Sequence, residues 1–161
     1  MGWSFMKAAD AISGKEGTLY ATINGEVVPV MECKNISAKI QKKKKEFNSL
    51  GHRGTQHKAT GWSGSGSMTI YYASSRWTKM MIDYATKGID TYFKLQITNS
   101  DPTSAIGTQT VTLVDVNIDD DEIVKLDVDA DFLEKQMNFT FSDVEMPEEF
   151  SDLSASSGSG E

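Results

Sequence analysis

The sequence predicts a mainly β domain with one helix, and three observations carry that reading. Several segments alternate apolar and polar residues with period two, as half-buried strands do. Only Trp77, Met80, Met81 and Tyr84 recur at the i, i+3, i+4, i+7 spacing of an extended helix face. Asn24-Gly25 separates two runs of strand formers, the pattern of a tight hairpin. With 161 residues, 39% hydrophobic and 24% charged, the chain suits one domain around one core. Thirteen glycines and three prolines exclude collagen-like and low-complexity classes. No apolar run approaches the roughly 20 residues of a membrane-spanning helix, and residues 1–7 lack the layout of a secretory signal. The single Cys33 excludes an internal disulfide and a cysteine-cluster zinc site. Together these features point to a soluble protein made in a reducing cytoplasm.

The elements follow in order. Gly17–Ile23 is rich in strand formers, and the Asn24-Gly25 turn returns the chain as a strand from Glu26. Pro29 fits only an edge or irregular point of that return. Over Lys34–Gln41, Ile36, Ala38 and Ile40 share one face while Ser37, Lys39 and Gln41 share the other, a half-buried strand. About residues 42–59 then read as a long loop, and loops of that length in compact domains are functional or disordered. Thr60–Tyr72 is the next strand, with Trp62, Met68, Ile70 and Tyr72 on one parity and Ser63, Ser65, Ser67 and Thr69 on the other. Its Gly-Ser repeat is therefore strand rather than linker. Ser74 or Ser75 caps the helix, Gly88 closes it, and Asp83 and Lys87 form an i,i+4 pair. Its aromatic and methionine stripe is core. Thr91–Asn99 forms a strand, and residues 100–107 a turn-rich loop.

The last third is read as β as well. In Thr110–Asp119, Val114, Val116 and Ile118 oppose Asp115, Asn117 and Asp119. Ile123–Phe132 is expected to return as a strand, with Leu126, Val128 and Ala130 opposing a row of Asp127, Asp129 and Asp131. Gln136–Val144, carrying Met137, Phe139 and Phe141, is the final strand. Residues 1–152 make the domain; 153–161 are a Ser/Gly-rich tail with too little apolar surface to fold alone.

Charge divides the chain: residues 1–100 carry net +7, residues 101–161 net −14. Such separation bears on association rather than on fold. Catalytic and metal chemistry find little support. The two histidines, His52 and His57, lie in the long loop without a nucleophile elbow or an acidic companion. Residues 61–67 lack the Lys-Ser/Thr ending of a phosphate loop. Asp127-x-Asp129-x-Asp131 lacks the glycine and glutamate of a calcium loop, since Phe132 and Asn138 stand there. The Lys42–Lys45 run is a solvated strand end rather than a nucleic-acid site. No catalytic, metal or cofactor-binding residue is assigned, and no cofactor is expected.

Several blocks carry a resemblance. Residues 12–20 (Ile-Ser-Gly-Lys-Glu-Gly-Thr-Leu-Tyr), Gly51-His-Arg-Gly54 with residues 56–61, residues 80–88, residues 111–117, Leu126-Asp-Val-Asp129 and Phe139-Thr-Phe-Ser-Asp143 with Pro147-Glu follow one another in order. Together, over about residues 12–152, they resemble the tail tube proteins of contractile phage tails, in the XkdM-like family of PBSX type. The resemblance implies a two-sheet β-sandwich or split barrel with one flanking helix. It implies hexameric rings whose inner sheets make a continuous barrel, stacked into a hollow tube inside a sheath. It implies no enzymatic activity, and passage of DNA or ions through the bore. Implied partners are further copies of the chain, the sheath protein, baseplate and tape-measure proteins; the DNA passes without specific binding, and no stable membrane binding is expected. The place implied is a virion tail or phage-tail-like particle assembled in the bacterial host cytoplasm.

Strands with one apolar and one polar face suit a wall between a core and a water-filled bore. On that reading Asp115, Asn117, Asp119, Asp127, Asp129, Asp131, Ser63, Ser65 and Ser67 are the lumen-lining candidates. Lys42, Lys43, Lys44, Lys45, Phe47, Leu50, His52, Arg53, His57 and Lys58 are the candidates for contacts with the adjacent ring or subunit. The basic loop is expected to meet acidic groups of a neighbour, such as Asp120-Asp121-Glu122 or Glu145 to Glu149. Exposed pairs contribute only about 0–1 kcal/mol each, so they steer and register. The alternatives are a secreted ring-forming tube protein of a related injection system and a monomeric ligand-binding β-sandwich. The latter needs exposed aromatics, whereas Trp62, Trp77, Tyr72 and Tyr84 sit on apolar parities.

Overall fold

A computed structural model of the chain describes residues 6–151; the Ser/Gly-rich tail lies outside the described residues. A short 3-10 turn (Ala8–Asp10) precedes β1 (Gly17–Ile23) and β2 (Glu26–Pro29). Asn24 and Gly25 have φ of 52° and 80°, the positive values a two-residue hairpin needs. Pro29 sits on the edge strand, where its missing N–H costs no ladder bond. The chain continues through β3 (Cys33–Phe47), β4 (Gln56–Tyr71), α1 (Arg76–Lys87), β5 (Phe93–Ser100), β6 (Thr108–Ile118), β7 (Glu134–Phe141) and β8 (Asp143–Glu148). All pairings are antiparallel.

The strands form two sheets joined at β6. In one sheet β1 lies between β2 and β5, and β6 between β5 and β8; in the other the order is β6, β7, β4, β3. The joint has a local cause. Phe93 pairs with Val116 but Leu95 with Leu113, so Val114 and Asp115 together oppose one residue, and Asp115 takes φ 55°. This bulge turns β6 from one sheet into the other and lets Leu113 and Val116 both point into the core. Beyond it, Asn117 and Ile118 pair with Thr140 and Phe139 of β7.

The core holds Leu19, Ala21, Met68, Ile70, Trp77, Phe93, Leu95, Met137, Phe139 and Phe141. Each fully buried large side chain contributes about 1.5–3 kcal/mol relative to exposure. On β4, Gly64 and Gly66 lie opposite Phe141 and Phe139. A Cβ at Gly66 would stand 2.5 Å from the Phe139 ring and from the Ser37 carbonyl, and one at Gly64 would enter the Phe141 ring. The glycines of the Gly-Ser repeat thus make room for the two rings. Helix α1 ends at Gly88 (φ 69°), whose N–H donates to the Tyr84 carbonyl at 3.0 Å. Lys87 and Asp83 are 3.8 Å apart. Trp77 is fully buried against Phe93, with ring centroids 5.6 Å apart, and its Nε1–H donates to Glu32 at 3.3 Å. Ser75 makes no side-chain cap bond; instead the Arg76 N–H donates to Ser74 Oγ at 3.3 Å.

Four expectations are corrected. Residues 42–59 are not a long loop: β3 and β4 run on as a paired hairpin arm, and only residues 48–55 connect them. Every residue from 37 to 55 is exposed, so Ala38 and Ile40 are not half-buried and only Ile36 of that row packs on the core. The arm projects past the core, and cross-strand bonding sustains it where burial does not. Ile123–Phe132 is not a strand: the place beside the end of β6, where a returning strand would pair, is already taken by β7. After Phe141 the chain bends into β8, which pairs with β6 in the first sheet rather than extending β7.

Candidate assembly surface

The second sheet carries aligned rows of polar side chains on the face away from the core. Lys39, Ser65, Thr140 and Asn117 are register partners across β3, β4, β7 and β6. Directly opposed residues project to the same side, so these four form one row. Ser37, Ser67 and Asn138 form the next, continued by Asp119, whose N–H donates to the Asn138 carbonyl at 2.8 Å. Ser63 pairs with Gln41, and on the β6 side Ser142 Oγ donates to Asp115 Oδ2 at 3.1 Å. Asn117, Asp119, Ser63, Ser65 and Ser67 therefore share one face, and Asp115 reaches it through Ser142. The expected placing of Val114 with Val116 and Ile118 is corrected, because the bulge breaks the alternation and buries Leu113 and Val116 instead. Asn117 Nδ2 also donates to Asp90 Oδ1 at 2.7 Å, tying the row to the loop after α1. Partial withdrawal from water, and then the neighbouring Asp120 charge, push the Asp119 carboxyl above its ordinary 3.8.

The basic candidates sit on the hairpin arm. Lys42, Lys43, Lys44, Lys45 and Phe47 end β3; His57 and Lys58 open β4; Leu50, His52 and Arg53 lie at the tip. All are exposed, Leu50 completely. His52 Nδ1 lies 2.8 Å from the Gly54 carbonyl, so the imidazole serves the turn. Beside the arm's base, Ile40, Ala59, Trp62 and Val144 line an apolar groove.

Asp127, Asp129 and Asp131 do not join the polar rows. They lie on the irregular segment after β6, exposed, in alternation with exposed apolar side chains. The alternation was legible; the absence of a partner strand within the chain was not. The segment's beginning is firmly held. Lys135 Nζ lies 2.8 Å from Asp121 Oδ1, both side chains fully buried, and donates to Thr78 Oγ1 at 3.1 Å on α1. The Tyr72 ring lies 5.4 Å from the same ammonium. Asp120 accepts from the Asn138 N–H and Nδ2, at 2.8 and 3.1 Å, and Glu122 lies 3.5 Å from Lys125. Asp121 is thus committed inside the molecule, which corrects its assignment to a neighbour's basic loop, whereas Asp120 and Glu122 stay exposed beside their own-chain partners. Sequence reasoning passed over the Asp121–Lys135 pair, although Lys135 shares the buried parity of Met137 and Phe139.

Two further points concern the alternatives. Trp77 is interior as expected, but Trp62 and Tyr72 are 40% and Tyr84 54% exposed, so the absence of exposed aromatics does not hold. Cys33 is half-buried, and burial, followed by the Glu32 charge, raises its thiol to about 11.

Comparison with known proteins fits this architecture. The phage tail tube protein family matches residues 4–148. Over 147 residues the chain is 44% identical to the phage-like element PBSX protein XkdM of Bacillus subtilis (strain 168), covering 91% of this chain and 97% of that protein. Its fold is similar to a chain of the anti-feeding prophage baseplate (TM-score 0.64, 13% identity, 84% and 94% of the two chains). It is similar also to the SPP1 tail tube (TM-score 0.62, 12% identity, 88% and 81%). A two-sheet β fold with one helix, joined to a family match over nine-tenths of the sequence, establishes that this chain belongs to the phage tail tube proteins.

Proposed function

We propose that copies of this chain close into hexameric rings with the polar rows of the second sheet lining the bore, and that the rings stack into a tube. The observation that carries this reading is the sheet β6-β7-β4-β3, whose one face covers the core while the other presents registered Ser, Thr, Asn and Asp side chains. Among the described residues both lateral limits of that sheet are open: β3 pairs only with β4, and β6 ends at Ile118. Closure into a ring would satisfy those edges, which otherwise invite uncontrolled pairing.

The bore would conduct rather than bind. A wall of hydroxyls, amides and carboxylates, with Lys39 a sparse cation, gives passing phosphates little counterion release to hold them. The role is structural and non-catalytic, in the tail of a phage or phage-like particle assembled in the host cytoplasm. A sheath surrounds the tube, and baseplate and tape-measure proteins set its end and length. The exposed arm, with Phe47 and Leu50 near its tip, is suited to contact the next ring or subunit. Negative-stain and cryo-electron microscopy of the purified chain test this reading. Rings or tubes with Ser65 and Asn117 on the inner wall are expected; a lasting monomer, or these residues on the outer wall, would overturn it.

A further inference from the structure

The segment after the buried Asp121–Lys135 pair has the alternating sequence of a strand but no sheet. It is folded back through a turn in which the Ala130 N–H donates to the Asp127 carbonyl at 3.4 Å, a single bond that pairing with a sheet edge would replace. Leu126, Val128 and Phe132 are 90%, 98% and 77% exposed, and they alternate with Asp127, Asp129 and Asp131. Exposed apolar side chains so concentrated in one short segment mark an interaction site. The hairpin arm offers a matching surface. Among the described residues its β3 is a free edge, with one flank of main-chain donors and acceptors unpaired. On one face of that edge, Ile40 and the Lys42 stem line the Trp62 groove; on the other stand Lys39, Gln41, Lys43 and Lys45. The free segment and the free edge thus share one two-sided pattern, apolar on one face and oppositely charged on the other.

The segment cannot reach the arm of its own chain. The Tyr72 hydroxyl donates to the Ile123 carbonyl at 3.2 Å, and the Tyr72 N–H to the Leu133 carbonyl at 2.9 Å. Both ends are therefore fastened beside the end of β4, and the apex extends at most about 17 Å from them. Trp62 lies nine residues back along β4 from Tyr71, about 30 Å away at strand spacing.

We propose that Leu126–Phe132 of one copy adds as a strand to the free edge of β3 in a neighbouring copy. Leu126, Val128 and Phe132 enter the groove at Ile40 and Trp62, and the row Asp127, Asp129, Asp131 faces the row Lys39, Gln41, Lys43. Since Lys39 belongs to the polar rows, the three carboxylates come to line the bore only through this pairing. The proposal deepens the tube reading and rests on it.

The test uses the full chain. Val128→Asp places a charge at a fully exposed site, so the monomer keeps its circular dichroism and melting temperature while ring formation is lost. In a Cys33→Ser background, Val128→Cys is combined in turn with Ile40→Cys or Lys42→Cys and oxidised after assembly. The expected result is a ladder of covalent oligomers on denaturing gels for at least one pairing. The positions are too far apart within one copy to bridge, so each band reports a contact between copies. Val128→Asp rings indistinguishable from the parent's, or assembled double-cysteine variants that all run as monomers, would overturn the seam and leave the tube reading standing. A parent chain that forms no rings would overturn both.

Discussion

Asp101 joins two loops through a single carboxylate. Its Oδ1 accepts from the Thr103 hydroxyl at 2.7 Å and the Thr103 N–H at 2.9 Å, and its Oδ2 from the Ser13 N–H at 3.0 Å. The Thr103 hydroxyl first, then the amides of Ser13 and Thr103, hold this carboxyl below its ordinary 3.8. A depressed folded-state value stabilises above the unfolded one, and that stability is lost as pH falls through the folded value. Asp101→Asn should therefore lower the melting temperature at neutral pH and flatten its decline below about pH 4. Thermal melts from pH 7 to pH 2 check both effects, and an acid limb as steep as the parent's would refute the assignment. The Asp121–Lys135 pair differs in kind: two charges leave water together, so removing either strands the other.

Among the elements, β4 depends most on residue size. Gly66→Ala should cost about 1–3 kcal/mol or more, because its Cβ meets an aromatic ring and a main-chain carbonyl, neither free to withdraw. Gly61→Ala, with nothing within 4 Å, is the matched control and should lie within about 0.5 kcal/mol of the parent. Urea unfolding compares them. Period-two reading located β4 and the body of β7 because those strands are sandwiched between partners and their patterns report burial. The same reading failed over 123–132, where alternation states which faces a segment prefers but not whether an edge lies within reach. Over 42–47 the error ran the other way. Four lysines suggested a loop, yet exposed hairpin strands tolerate lysine on both faces. The Asp115 bulge left no signal in its local pattern, since only the pairing register with β5 reveals it.

At the scale of the whole molecule, the charge division of the sequence acquires a location. The basic half builds the arm, and the acidic half supplies the free segment and the carboxylates of the polar rows. Lys45 and Lys58 are register partners, so replacing residues 46–57 with Asn-Gly closes a shorter hairpin without disturbing the core. That variant should remain a folded monomer and fail to polymerise, as judged by circular dichroism and electron microscopy; normal tubes would show that the arm is dispensable. The sole cysteine bears on what becomes of a finished particle. With its thiol raised to about 11, Cys33 is ionised in roughly one copy per ten thousand at neutral pH. In the proposed tube, a thiol held protonated in every copy would leave the subunits slow to become stitched to one another in an oxidising medium.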